Sequence, residues 1–215
     1  MKMRSEVGAT LKKQCRTACI FAGFLVMGFS VTAQQLYDDQ ELSSDIKYVT
    51  HPDGRVTPFV QNPKKDEINS SEKCAMFKRN RQKYDYIKFN PSSKLDDVSA
   101  YASFDANAPR LTMKVYTDAP AGSVVELQLG QSTGKAYPDG IHSQFQATTT
   151  VSGSWEVLEF KYVDTPKGSK TNARQIDQIT MLFMPGTSAQ YTFYFDDIVG
   201  PAFKEERAVK LFRKK

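Results

Sequence analysis

The chain has 215 residues, with 29 Lys and Arg against 24 Asp and Glu, and its formal net charge is +5. Its excess positive charge lies at the two ends, because residues 1–33 hold five basic residues and one acidic residue, and residues 204–215 hold six and two. Residues 34–203 therefore carry a net charge of −3. Nucleic acid is not an expected partner, because phosphate binding requires a basic surface on the domain itself.

The N-terminal segment, residues 1–33, has the composition of a secretory signal. Basic residues precede the apolar run "ACIFAGFLVMGFSV", and "VTA" then supplies small residues of the kind that a signal peptidase reads. The run is shorter than the roughly 20 residues of a membrane span. The sequence therefore predicts export to the periplasm, the cell surface or the medium, with no transmembrane segment after cleavage. Cys74 is then the single cysteine of the mature chain, which excludes an intramolecular disulfide.

After a polar and acidic stretch that we interpret as a leader, residues 34–55, the pattern is strand after strand. Apolar and polar residues alternate most clearly in "RLTMKVYT" and "SVVELQLG". The other predicted strands are "VTPFVQ", "KCAMFKR", "YDYIKFN", "HSQFQATTTV", "WEVLEFKYV", "QIDQITMLFM" and "YTFYFDDIVGP". The turn-forming linkers "DAPAG", "YPDG", "VSGS" and "PGTSA" separate several of them.

Strands at this spacing predict an all-β domain over residues 56–203, an antiparallel β-sandwich or jelly roll, with a basic tail at 204–215. The only stretch that could form a helix is the short "KLDDVSAYASF". Trp155 opens a strand that carries Leu158 and Phe160, so we expect it in the core or at a sheet edge.

The ordered pieces "NPKKDEINSSEKCAMFKR", "YDYIKF", "LTMKVYT", "ATTTVSGSWEVLEF", "IDQITMLFMPG" and "YTFYFDDIVGP" resemble carbohydrate-binding-module-like, galactose-binding-like jelly rolls. Such domains are frequent in secreted proteins of glycan-degrading bacteria of the Bacteroidetes type. The resemblance spans roughly residues 56–201 and implies a non-catalytic module that binds a polysaccharide or an oligosaccharide. A catalytic module usually accompanies such a domain, and none is recognisable here.

The resemblance also implies a structural calcium ion between an early loop and the last strand. Calcium takes six to eight oxygen ligands from carboxylates, amides and carbonyls. The residues that would supply them are Asp196, Asp197, Asn62 and Asn69, with Asp196 favoured because alternation places it opposite Phe193 and Phe195. Solvated aspartates that end a strand are the alternative interpretation.

Sugars are bound by planar hydrogen-bonding groups together with aromatic rings. Outward-pointing side chains of this character follow three predicted strands, and we expect one sheet face to hold them together: Lys114, Tyr116, Glu126, Gln128, His142, Gln144 and Gln146. The solvated face of a sandwich would show the same alternation.

Two other classes of function remain open. A structural or adhesion domain of an envelope or matrix assembly would use the same fold without a sugar. A jelly-roll polysaccharide lyase would need a His or Tyr base, and Tyr137, His142 and Gln144 only faintly resemble such a site. No nucleophile elbow, phosphate-binding loop or Cys/His metal spacing is present in the sequence.

Overall fold

A computed structural model describes residues 34–41, 46–50, 56–133 and 136–204 of the chain. The predicted signal and the tail beyond Lys204 lie outside the described residues. The described residues form eleven strands: β1 Gln34–Asp38, β2 Ile46–Thr50, β3 Val56–Gln61, β4 Lys73–Lys78, β5 Tyr86–Pro91, β6 Leu111–Thr117, β7 Val124–Gly130, β8 Ile141–Thr148, β9 Trp155–Asp164, β10 Gln178–Phe183 and β11 Thr192–Pro201. All nine strands predicted from residue 56 onward are confirmed.

The pairing of the strands is that of a jelly roll. One sheet has the order β4-β11-β6-β9, and the other has the order β5-β10-β7-β8, with every pair antiparallel. From β4 to β7 successive strands therefore alternate between the two sheets, as two interlocked Greek keys require. The strand β9 joins the sheets, because its first half pairs with β6 and its second half pairs with β8. The predicted fold class is confirmed.

The core lies between the two sheets, and its centre is aromatic. Phe183 of β10 is fully buried and stacks on Phe193 of β11, with 4.5 Å between the ring centroids, and on Phe77 of β4 at 5.5 Å. These rings belong to opposite sheets, so their burial holds the sheets face to face. The inward residues of β6, Leu111, Met113 and Val115, are buried as their alternation predicts.

Two pieces of the segment interpreted as a leader, residues 34–38 and 46–50, are strands of the fold, which corrects the interpretation for these residues. The strand β1 pairs with β11, and β2 pairs with β5. Tyr37 is 1% exposed and its hydroxyl donates to the carbonyl oxygen of Pro201 at 2.7 Å, while the Tyr48 ring meets Phe195 edge-on at 6.1 Å. The polar composition of residues 34–55 did not indicate β1 and β2, although each of these short strands contributes a tyrosine to the core.

The one stretch with helical potential, residues 94–104, forms turns and a single bridge between Leu95 and Phe203. Leu95, Val98 and Tyr101 are nevertheless buried, so this stretch closes one end of the core. Within the described part of the chain, no helix has the length and apolar character that a membrane crossing would require.

Candidate functional site

Polar side chains cover the outer side of the sheet β5-β10-β7-β8, and we call this surface the polar face. Its members point away from the core because their neighbours along each strand point inward. They are Tyr86, Lys88 and Asn90 of β5, Gln178, Thr180 and Leu182 of β10, Glu126 and Gln128 of β7, and His142, Gln144 and Gln146 of β8.

The register of the strands arranges these side chains in rows across the sheet. One row runs from Lys88 through Thr180 and Gln128 to Gln144. The next row runs from Tyr86 through Leu182 and Glu126 to Gln146. Because directly opposed residues lie about 4.5–5.5 Å apart at Cβ, each row forms a continuous band of functional groups.

The centre of the polar face is buried although it belongs to the outside of the sandwich. Glu126 is 7% exposed, and Gln128, Gln178, Thr180 and Leu182 are buried as well. The flanking side chains of β5 and β8 are only half-buried. The polar face therefore has a buried centre and half-buried margins, and its amides and carboxylate are groups that hydrogen-bond a hydroxyl-rich ligand.

A carboxylate organises the middle of this face. Glu126 Oε1 accepts hydrogen bonds from Gln128 Nε2 at 2.7 Å and from Gln144 Nε2 at 2.9 Å. Its Oε2 accepts one from Gln146 Nε2 at 2.7 Å. On the neighbouring strands, Gln178 Nε2 donates to Asn90 Oδ1 at 3.0 Å. The polar side chains are therefore fixed in place before any ligand arrives, which reduces the entropy lost on binding.

The two ends of the face differ in character. At one end lies Tyr86, with Lys88 Nζ 5.4 Å from the centroid of its ring. At the other end lies His142, whose pKa is lowered by burial and raised to a lesser extent by Asp97. Arg174 Nε pairs with Asp97 Oδ2 at 2.9 Å, so this end also carries an ion pair. The face thus offers an aromatic ring with a lysine at one end, and a histidine near an ion pair at the other.

Lys114 and Tyr116 do not belong to this face, which corrects the prediction that one sheet holds all seven residues. The strand β6 pairs with β9 and β11 in the other sheet, so its outward side chains lie on the opposite side of the sandwich. There Lys114 Nζ pairs with Asp197 Oδ2 at 2.5 Å, and the Tyr116 ring contacts Trp155 and Tyr194, each at 5.8 Å.

Five predicted residues, Glu126, Gln128, His142, Gln144 and Gln146, are brought together, and the β5 and β10 members of the face were missed. Alternation in "YDYIKFN" could have identified the outward side chains of β5. Alternation in "QITM" could likewise have identified Gln178 and Thr180 of β10, whereas Leu182 is as apolar as its inward neighbours and carries no such signal. Neither pattern shows that β10 lies beside β7, since that neighbour relation follows only from the topology.

Trp155 is buried, as expected, but beneath a loop on the outer side of the other sheet and outside the main core cluster. Its Nε1 donates to Asn62 Oδ1 at 3.0 Å, and the same oxygen accepts from the Lys64 backbone N–H at 2.9 Å. The Asn62 amide donates in turn to the carbonyl oxygens of Asn69 and Ser71. Asn62 therefore holds the loop at 62–72 onto the sheet.

The other predicted metal ligands are Asn69 of the same loop and Asp196 and Asp197 of β11. Asn69 Nδ2 donates to Asp196 Oδ2 at 3.0 Å, and the Asp197 backbone N–H donates to Asp196 Oδ1 at 2.9 Å. Burial raises the pKa of Asp196 to about 7, with the negative charge of Asp197 adding to the effect and the Asn69 hydrogen bond opposing it. Hydrogen bonds thus connect Asn62 with Asn69, Asn69 with Asp196, and Asp196 with the backbone of Asp197, between the early loop and the last strand that the resemblance names.

Their oxygens do not fit a calcium site as they stand. Asn62 Oδ1 already accepts two hydrogen bonds, both Asp196 oxygens face donors, and Asp197 is paired with Lys114. No group of three or more His, Cys, Asp or Glu side chains suited to a metal ion occurs among the described residues. Calcium binding stays an expectation of the resemblance that these contacts do not favour, and no role of the polar face depends on it.

No protein-family model matches the chain, and no curated protein matches it. Among solved structures, the family 11 carbohydrate-binding module of the cellulase Lic26A-Cel5E of Clostridium thermocellum is similar at 15% identity, with 83% of this chain and 99% of that chain covered and a TM-score of 0.49. The same module in complex with a β-1,3-1,4-mixed-linked tetrasaccharide gives 15% identity, 82% and 100% coverage and a TM-score of 0.49.

A family 30 module of the Clostridium thermocellum cellulase Cel9D-Cel44B gives 11% identity, 74% and 87% coverage and a TM-score of 0.44. These TM-scores lie below 0.5, so the functional assignment depends on the geometry of the polar face and not on these similarities.

Proposed function

We propose that this protein is an exported, non-catalytic carbohydrate-binding protein whose polar face binds a polysaccharide or an oligosaccharide. The observation that carries the proposal is the hydrogen-bonded cluster of Glu126 with Gln128, Gln144 and Gln146 on the outer face of a sheet, with Glu126 buried at its centre. Amides and carboxylates are the groups that hydrogen-bond sugar hydroxyls. Export rests on the composition of residues 1–33.

The face also offers apolar surface for the C–H groups of a sugar ring. Leu182 lies between Tyr86 and Glu126 in one row, so an apolar patch and an aromatic ring adjoin the hydrogen-bonding groups. A ligand with alternating hydroxyl and C–H surfaces matches this combination. A structural or adhesion role without a sugar does not account for polar side chains that are buried, organised and outward-facing.

Retention of the protein on gels that contain soluble polysaccharides tests the proposal. The double variant Gln144→Ala and Gln146→Ala removes two hydrogen-bonding groups worth about 1 kcal/mol each, so we expect retention to weaken by roughly tenfold or more. The matched control is Gln61→Ala with Gln82→Ala, which are exposed glutamines outside the face. Lys114→Ala, on the other sheet, should also leave retention unchanged.

Each alternative class predicts a different outcome. If no polysaccharide in a broad panel retains the wild-type protein, the structural or adhesion class replaces this proposal. If the protein releases unsaturated oligosaccharides from a polysaccharide over hours, the lyase class replaces this proposal. Loss of retention in both double variants alike would place the ligand elsewhere on the molecule.

A further inference from the structure

Glu126 holds an unusual position on the polar face. It is a carboxylate with 7% of its surface exposed, and all three of its observed hydrogen bonds come from glutamine amides: Gln128, Gln144 and Gln146. The four ion pairs found in the described part of the chain do not include it. Its charge is therefore balanced by amide dipoles and not by a cation.

This arrangement determines which way each amide points. An ionised carboxylate only accepts hydrogen bonds, so the N–H₂ group of each glutamine must face Glu126. The carbonyl oxygen of each amide then lies on the side away from the carboxylate. The three amide oxygens are then available to a ligand, and so is the second N–H of each amide, which does not face Glu126. A sugar hydroxyl is a donor that such oxygens bind.

The same charge has a second effect. A nearly buried carboxylate such as Glu126 repels another anion more strongly than an exposed carboxylate does, because less water screens it. A uronate or sulfate group brought to the centre of the face would lie beside Glu126, whereas the lysine of the face, Lys88, stands two strands away on β5 and over the Tyr86 ring. An uncharged sugar meets no such repulsion.

We infer that Glu126 is a positioning residue that orients the three glutamines and restricts the polar face to uncharged, hydroxyl-rich glycans. This inference rests on the proposed function for its ligand class. The carboxylate of Glu126 thus has two effects, because it orients the amides and it excludes anions. Different substitutions of Glu126 test each effect.

Glu126→Gln preserves the shape of the side chain, removes the charge and replaces one acceptor oxygen with a donor. We expect retention on gels of neutral mixed-linkage β-glucan, xyloglucan and galactomannan to fall at least tenfold for whichever of them binds the wild type. Retention on alginate and pectate gels should become detectable or rise. Glu126→Asp keeps the charge but shortens the side chain. Retention on the neutral polysaccharide gels should therefore fall, while the alginate and pectate gels should still not retain the protein. Glu159→Gln, an exposed glutamate on β9, is the matched control.

Side-chain amide NMR tests the positioning role without any glycan. In the wild type, the three glutamine N–H₂ groups should give resonances displaced from those of exposed glutamines, assigned from the single Gln→Ala variants. Glu126→Gln should move all three, and Glu159→Gln should move none.

The outcomes distinguish the two claims. Absence of retention on every gel would reject the proposed function, while the amide resonances would still decide whether Glu126 orients the glutamines. Neutral retention that survives Glu126→Gln with unmoved amide resonances would overturn the positioning role. Wild-type retention on acidic gels equal to that on neutral ones would overturn the exclusion of anions.

Discussion

The indole N–H of Trp155 donates to the side-chain oxygen of Asn62 across 93 positions of sequence, and both residues are buried. Lys64 Nζ strengthens the same junction through Ser154 Oγ at 3.1 Å. A loop whose backbone would otherwise lie in solvent is thereby held against the outer side of a sheet. We therefore expect the hydrogen bonds of Asn62 and Lys64, in addition to the packing of the core, to keep Asn69 and Asp196 buried.

Asn62→Ala should destabilise the protein by about 2–3 kcal/mol, because it leaves the buried Trp155 N–H without an acceptor. For a domain of this size, that corresponds to a fall in melting temperature of roughly 5–10 °C. Thermal unfolding followed by circular dichroism measures it. Gln61→Ala, the exposed neighbouring residue, should shift the melting temperature by much less.

A double-mutant cycle with Trp155→Phe isolates the hydrogen bond, since phenylalanine lacks the N–H group. We expect a coupling energy of about 1 kcal/mol between the two substitutions. Strict additivity would show that the two side chains stabilise the loop independently.

The buried carboxyl of Asp196 should make stability depend on pH. Its pKa is raised from 3.8 to about 7 in the folded protein, so the folded state binds the proton more tightly than the unfolded chain does. The contribution of this group is therefore fully present below about pH 3.8, declines as the pH rises towards 7, and is constant above that. The total loss is on the order of 4 kcal/mol at most.

The measurement is denaturant unfolding of wild type and Asp196→Asn between pH 4 and pH 8. The neutral amide of the variant cannot titrate. The unfolding free energy of Asp196→Asn should therefore rise relative to that of the wild type as the pH rises. Asp197→Asn keeps the buried carboxyl and removes only the smaller contribution of a neighbouring negative charge to its pKa, so it should keep most of the wild-type pH dependence. A difference that does not vary with pH would contradict a raised pKa at this position.

The predicted calcium ion can be tested at the same place. Because the oxygens of Asn62, Asn69, Asp196 and Asp197 already have partners, we expect the melting temperature to be the same in calcium and in chelator. Bound calcium would stabilise the folded state by mass action. It would also favour the ionised Asp196, so that stability would rise with pH instead of falling. A calcium-dependent increase of several degrees that Asp196→Asn abolishes would establish the metal after all.

Alternation along the strands predicted which side chains point inward, and this held for β6, β7 and β8. It did not predict which sheet a strand joins, because a period of two looks the same in both sheets. Lys114 and Gln128 follow each other closely in sequence, yet the jelly roll places β6 and β7 in opposite sheets. The membership of the polar face therefore could not be predicted from local patterns.

The strands β1 and β2 were missed for a different reason. Each has five residues, and β1 contains a register shift between Leu36 and Asp38, so that Tyr37 and Asp38 are buried side by side. A bulge interrupts the alternation that would have marked the strand. Asp38 is instead satisfied by Tyr48, whose hydroxyl donates to Asp38 Oδ2 at 3.0 Å, and this is a tertiary contact that no local pattern reveals.

Tyr86 provides the sharpest test of where a glycan lies. It is the aromatic residue of the polar face, and Lys88 Nζ is 5.4 Å from the centroid of its ring. Tyr84 is two residues earlier and 65% exposed, but it precedes β5 and lies outside the face. The two tyrosines are therefore a matched pair, close in sequence and different in position.

Tyr86→Ala should weaken retention on the binding polysaccharide by about tenfold, because an aromatic contact of this kind contributes roughly 0.5–1.5 kcal/mol beyond the area it buries. Tyr86→Phe keeps the ring and should keep most of the retention, while Tyr84→Ala should keep all of it. Affinity electrophoresis measures the three variants against the wild type, with melting temperatures as the control for folding. If Tyr84→Ala loses retention and Tyr86→Ala does not, the ligand contacts the loop before β5, and the row from Tyr86 through Leu182 to Glu126 is not where the sugar binds.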